Sequence, residues 1–206
     1  MQMNPPQLYT WKQTRIYSCG PACLMTALHE FGKAELSEKT EMEIWRQVCN
    51  MIFMGSTPAY LARCAKSRGL STKLWVKSRR GPSKSYGNTL FHRLLHSHLL
   101  RVYRKTATAY RKQGNEVSDY REESKILGEL QSNPESKAIY LIADDDDVFH
   151  FILVRPFGGT LVVMDPAGST NTPFMEDEFQ DAYEPNMLGY CVLLCAATNL
   201  QIAAIL

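Results

Sequence analysis

The chain lacks long apolar runs. None of its 206 residues falls in a stretch approaching the roughly 20 apolar residues that cross a bilayer, which argues against a helical membrane span. Residues 1–9 also lack the positively charged start and apolar core of a secretory signal, so export by that route is not expected. The expected location is the cytoplasm, or delivery by a dedicated secretion machine. Cysteine is sparse, six in all, too few for a disulfide scaffold in a chain of this length. Cys49, Cys64, Cys191 and Cys195 read as core residues. Cys19 and Cys23 stand one helical turn apart, but no second pair at ligand spacing accompanies them, so neither a metal nor another cofactor is expected. His92 and His96 share a helical face, yet Arg93 stands where a zinc-peptidase helix carries its glutamate, which excludes that chemistry.

Acidic residues are missing from one long stretch. From Ile44 to Asn115 the chain has 15 Lys and Arg and no Asp or Glu, while the remainder carries 8 basic and 21 acidic residues behind a formal net charge of only +2. Such asymmetry points to an acidic partner for the middle segment. Within it Phe91, Leu94, Leu95, Leu99, Val102 and Tyr103 form an apolar helical stripe, edged by Arg93, Arg101, Arg104 and Lys105. Two readings stand side by side. Residues 77–112 engage an acidic protein or an anionic membrane surface, or the stripe packs on the chain's own core and its charges are solvated. Nucleic acid is not expected. The run Asp144-Asp145-Asp146-Asp147 reads as a solvated loop near the cleft mouth.

What is present is a thiol in a distinctive setting. In Gln13-Thr14-Arg15-Ile16-Tyr17-Ser18-Cys19-Gly20-Pro21-Ala22-Cys23, the residues after Cys19 recur at helical spacing to Phe31, and Gly32 is a left-handed stop. Pro21 suits a first turn, where its missing N–H costs nothing. Cys19 therefore sits at a helix start, whose free N–H groups and dipole favour an anion, the state a thiolate nucleophile requires. Gln13 is near enough in chain to donate, with the Cys19 N–H, to a developing oxyanion.

A second constellation lies between Val148 and Ala167, where two apolar runs flank Pro156-Phe157-Gly158-Gly159 as a hairpin. With the turn centred between Phe157 and Gly158, Arg155 pairs with Thr160 and His150 falls directly opposite Asp165, within reach for a carboxylate to orient an imidazole. Cys19, His150 and Asp165 then supply nucleophile, base and orienter. Other expected elements are helices near 39–50, 58–68, 90–112, 118–131 and 174–183, and strands near 71–76, 138–143 and 189–195. Helices first and antiparallel strands later give an α+β fold, a helical lobe carrying the nucleophile against a sheet carrying His150 and Asp165.

On Gln13, the run Cys19-Gly20-Pro21-Ala22-Cys23-Leu24, the late strand histidine and the strand ending Asp165-Pro166, the chain resembles the bacteriocin-processing, double-glycine-leader cysteine peptidases of the papain-like superfamily. The resemblance covers motif regions at both ends and not the middle. It implies a papain-like fold, with Cys19 as nucleophile, His150 as general base and acid, Asp165 as its orienter and Gln13 as oxyanion donor. Ser18 stands where that family usually carries an aspartate. The chain is read as one stand-alone domain over residues 1–206, without the ABC exporter to which such peptidases are often fused, and with a basic helical insertion at about 77–134. The expected function is thiol hydrolysis of peptide or amide bonds in a peptide or protein substrate. The alternatives are a glutamine deamidase, transamidase or acyltransferase acting as a delivered bacterial effector, and a noncatalytic binding module.

Overall fold

The computed structural model describes residues 8–51, 55–77, 90–120, 123–143 and 148–197. The acidic run at 144–147 and most of the loop expected after Lys77 lie outside the described residues, as do the side chains of Phe91, His92, Arg93, Leu95 and His96. No helix among the described residues is long and apolar enough to cross a membrane.

The helix that opens with the CGPAC run, α1 (Cys19–Glu30), is buried at every residue from Cys19 to Leu28. An all-round buried helix must be enclosed by other elements. It is enclosed by α2 (Glu38–Val48), α3 (Pro58–Ser67) and the sheet. Gly32 ends it as the sequence predicts: φ is +67°, Gly32 N–H donates to His29 O at 2.8 Å and Lys33 N–H to Leu28 O at 2.8 Å, the paired bonds of a Schellman stop. Caps fix the next two starts. Ser37 Oγ accepts from Thr40 N–H, and Thr57 Oγ1 accepts from Tyr60 N–H ahead of Pro58. A short ribbon, β1 (Cys49–Met51) with β2 (Gly55–Ser56), links α2 to α3.

The remaining elements are β3 (Leu70–Val76), α4 (Leu90–Lys112), β4 (Val117–Asp119), α5 (Glu123–Ser132), β5 (Lys137–Ala143), β6 (Phe149–Phe157), β7 (Thr160–Asp165), β8 (Thr170–Phe174), α6 (Glu176–Tyr183) and β9 (Met187–Ala196). Seven strands form one sheet in the order β4-β3-β9-β5-β6-β7-β8, antiparallel except for β3 with β4. Alternation along the central strands feeds two cores. Phe151, Leu153 and Met164 meet α1, while Ile152, Val154 and Val163 meet Phe179 of α6 and Ile126 and Leu127 of α5.

Three expectations need correction. The β6–β7 turn is centred one residue later than expected. Gly158 and Gly159 both take positive φ, 58° and 84°, which is the two-residue type I′ geometry that glycine pairs supply. Phe157 therefore pairs with Thr160, and Leu153 with Met164. Part of the helix expected at 118–131 is instead β4, and β8 precedes α6 where only a helix was expected. The apolar stripe of α4 is also rotated. Its buried residues are Leu99, Leu100, Tyr103, Ala107 and Tyr110, whereas Leu94 is 62% exposed. Leu100, Tyr103, Ala107 and Tyr110 belong to the protein's own core, while Arg101, Arg104 and Lys105 are exposed.

A buried ionic cluster ties the end of α1 to the sheet. Arg155 on β6 is 1% exposed. Its guanidinium donates to Glu30 of α1, to Asn171 of β8 and to Tyr9 O at 2.9 Å. Glu30 also accepts from Tyr9 N–H at 3.0 Å and pairs with Lys137 at 3.4 Å. Removing one partner of such a pair strands the other charge. Arg155→Met is accordingly expected to lower unfolding stability by about 3 to 5 kcal/mol. Urea denaturation will show this, and the double variant with Glu30→Gln should cost less than the two single changes summed.

Candidate active site

Two secondary-structure ends meet at the site: the start of α1, carrying Cys19, and the start of β6, carrying His150. Their approach depends on Gly20. A Cβ there would lie 3.1 Å from Phe151 Cδ2, 3.2 Å from Leu61 Cδ1 and 3.2 Å from Ser56 Cβ, so the first turn of α1 rests directly on the residue after His150. Cys23, one turn on, donates its thiol to Phe151 O at 3.4 Å.

His150 Nε2 lies 2.8 Å from Asp165 Oδ1. The shifted register does not separate them, because a turn moved by one residue changes each cross-strand partner by two and preserves the face. Carried outward, it sets Asp165 across from Ile152 and diagonal to His150, within reach of long side chains. Asp165 closes β7, and its Oδ1 also accepts from Ala167 N–H at 2.8 Å. The hydrogen bond from His150 is the main cause holding the Asp165 carboxyl below the usual carboxylate range, against the opposing effect of burial.

Burial pulls the His150 pKa down. Hydrogen bonds to Asp165 and to the Cys19 side chain, with the charges of both, outweigh it and raise the pKa from 6.5 to about 10. The imidazole is therefore held as imidazolium at neutral pH between a carboxylate and the sulfur. The thiols of Cys23, Cys64 and Cys195 are pushed up by burial, which disfavours their thiolates.

Gln13 is tied to the strand end that carries Asp165. Its N–H donates to Pro166 O at 2.9 Å, fastening its segment to the residue after Asp165. Its side-chain oxygen is buried without a hydrogen-bond partner among the described residues. The Cys19 N–H belongs to the first turn, where no intrahelical acceptor exists. The structure thus joins imidazole to carboxylate directly, His150 to Asp165, and ties the main chain of Gln13 to the residue after that carboxylate. Among the described residues no group of three or more His, Cys, Asp and Glu side chains is placed to hold a metal ion.

Sequence reasoning missed three participants. Tyr103 of α4, 3% exposed, packs on Phe149 and Tyr190 with ring centroids 6.3 and 5.6 Å away. Burial, then the charge of Cys19, raises its pKa. Ser18 is fully buried and its hydroxyl contacts Glu41 of α2 rather than capping α1. Glu41, also fully buried, was legible only as one more charge on an amphipathic helix.

Residues 8–172 match the model of a family described as Peptidase_C39-like. No curated protein matches the sequence. Among solved structures, the fold is similar to the peptidase domain of Streptococcus ComA, a bifunctional ABC transporter involved in a quorum-sensing pathway. Identity is 14%, the match covers 93% of this chain and 100% of that domain, and the TM-score is 0.53. It is also similar to a double glycine motif protease from an AMS/PCAT transporter, solved in complex with the leader peptide, at 15% identity over 96% of this chain and 97% of that one, with a TM-score of 0.51. At such identities the likeness establishes the fold, which is the papain-like α+β arrangement.

The raised His150 pKa has a signed consequence. A pKa above the unfolded 6.5 means that protonation favours the folded state, so this contribution is complete below pH 6.5 and is lost as pH rises toward about 10. The lowered Asp165 pKa contributes above its unfolded 3.8 and is lost as pH falls through its folded value. The stability gap between wild type and Asp165→Asn should be widest between these limits and shrink on either side. Nuclear magnetic resonance titration of His150 should give about 10 in the wild type and a lower value in Asp165→Asn.

Proposed function

Because the chain belongs to the Peptidase_C39-like family, we propose that it is a cysteine peptidase in which Cys19 attacks the carbonyl carbon of a peptide bond. The observation that supports this most is the His150–Asp165 hydrogen bond, with the Cys19 side chain a further cause of the raised His150 pKa. In that mechanism the Cys19 sulfur forms a bond to the carbonyl carbon, and the carbonyl electron pair moves to oxygen. The oxyanion takes hydrogen bonds from the Gln13 amide and the Cys19 N–H. His150 then gives its proton to the leaving amine, the C–N bond breaks, and a thioester remains. His150, now neutral, takes a proton from water, which attacks the thioester and releases Cys19. Asp165 keeps the ring oriented and stabilises its charged form throughout.

The substrate proposed is a peptide with a double-glycine leader, by analogy with the AMS/PCAT-type protease solved with its leader peptide. The exposed charges of α4, Arg101, Arg104 and Lys105, are proposed to engage an acidic partner or an anionic surface.

Mass spectrometry of a leader-type peptide after incubation separates chain scission from side-chain deamidation, and only scission supports the peptidase reading. Cys19→Ala should abolish cleavage while leaving the unfolding midpoint nearly unchanged, and Cys19 should be the cysteine that iodoacetamide labels fastest in the folded protein. Gln13→Ala should lower turnover by about a hundredfold or more, as single oxyanion donors do elsewhere. Changing Arg101 and Lys105 to Gln should weaken binding of an acidic peptide without altering hydrolysis of a small acyl substrate. That binding should also fall with salt, since exposed charges are screened beyond about 8 Å at physiological ionic strength.

A further inference from the structure

The segment that carries Gln13 toward Cys19 is held from behind by one fully buried carboxylate. Glu41 Oε2 accepts the Trp11 indole N–H at 2.7 Å. Its Oε1 accepts the Thr14 N–H at 3.0 Å and lies 2.5 Å from the Ser18 hydroxyl. Ser18 Oγ in turn accepts the Arg15 N–H at 3.1 Å and lies 2.8 Å from Arg15 O. All three groups on Glu41 come from residues 11–18, so its partners bracket Gln13 on both sides and include the residue before Cys19. The other tether is the Gln13 N–H to Pro166 O.

Burying a carboxylate is costly unless hydrogen bonds replace its water. Glu41 is 0% exposed, and among the described residues it forms no ion pair. α2 is already anchored by Ile44 and Val48 in the core, so the carboxylate is not what attaches the helix. Its bonds have one beneficiary, the conformation of the loop. A shift of about 1 Å in such a loop is enough to cost a hundredfold in rate.

We propose that Glu41 is a positioning residue for the oxyanion site: it fixes residues 11–18 so that the Gln13 amide and the Cys19 N–H converge on one oxygen. The inference rests on the peptidase reading above, and it names a residue on α2 that contacts none of the reacting atoms. Glutamine at position 41 keeps the shape but offers a single acceptor oxygen, so at least one of the three donors loses its partner.

Two reactions of the same thiol distinguish positioning from general support. Iodoacetamide alkylates Cys19 without forming an oxyanion. The aldehyde N-acetyl-glycyl-glycinal adds reversibly: a sulfur–carbon bond forms as the carbonyl π bond breaks, and the electron pair moves to an oxygen that sits in the oxyanion site. Its Kd is read as protection against alkylation. In Glu41→Gln the alkylation rate should stay within about twofold while the aldehyde Kd rises between about tenfold and a hundredfold. In a Gln13→Ala background the same change should add little, because the group it positions is gone. An unchanged Kd in folded Glu41→Gln overturns the proposal. So does an equal rise in both backgrounds, or a parallel loss of alkylation. If Glu41→Gln does not fold, Trp11→Phe removes one of the three bonds and should raise Kd in the same direction, and no rise there overturns the proposal. A wild-type protein in which Cys19 reacts with neither reagent defeats the peptidase reading itself and this inference with it.

Discussion

Contact between the first turn of α1 and strand β6 is the constraint on which the rest of the structure depends. α1 carries the thiol and β6 carries the imidazole, and nothing in the local sequence of either sets their separation. What sets it is the absence of a side chain at Gly20, which lets the helix settle onto Phe151, and the thiol of Cys23, which bonds the same residue's carbonyl one turn later. Interiors are close-packed, so a methyl group at position 20 would press on the Phe151, Leu61 and Ser56 side chains, which would have to give way. The Cys-Gly-Pro-Ala-Cys run is therefore a packing motif as much as a chemical one.

Around that contact the structure uses buried carboxylates as clamps on the chain entering α1. Glu30, in the last turn of α1, takes the main-chain N–H of Tyr9, while Arg155 takes the Tyr9 carbonyl. Glu41 takes Trp11, Thr14 and Ser18, and Pro166 takes Gln13. Residues 9–18 have almost no regular secondary structure, so their backbone groups have no helix or sheet to satisfy them and must find partners elsewhere. Supplying those partners from buried side chains gives an irregular segment the rigidity of a regular one. An amide in such a segment can be aimed.

Much of this was legible in the sequence, and what was not has identifiable causes. α1 and its stop were readable because Gly32 and the apolar run are local signals, and the hairpin was readable because a glycine pair lies between two apolar runs. Its turn centre lies one residue later than the middle of Pro156-Phe157-Gly158-Gly159 because both positive-φ positions fall on the glycines. That shift was harmless to the pairing of faces because parity survives a two-residue change in partner. β4 and β8 were missed because each is short and Thr170–Phe174 contains Pro173, which suits an edge strand and weakens the pattern. Glu41 was invisible for a different reason. Charged residues are almost never fully buried without partners, and its partners lie some 23 to 30 positions away, a distance over which periodicity carries no information.

The basic helix shows how one element can serve two surfaces. Amphipathicity alone left open whether the apolar face of α4 met a membrane or the protein itself. The burial of Leu99, Leu100, Tyr103, Ala107 and Tyr110 commits that face to the interior, where Tyr103 packs on Phe149 and Tyr190. Arg101, Arg104 and Lys105 remain on the outside, and exposed charge gives attraction that is long in range, weak in geometry and sensitive to salt. Such a surface can concentrate an anionic partner near the cleft but cannot by itself fix which bond is presented to the sulfur. Close packing, by contrast, is short in range and specific in geometry, and Gly20, Phe151 and Tyr103 supply it within the protein.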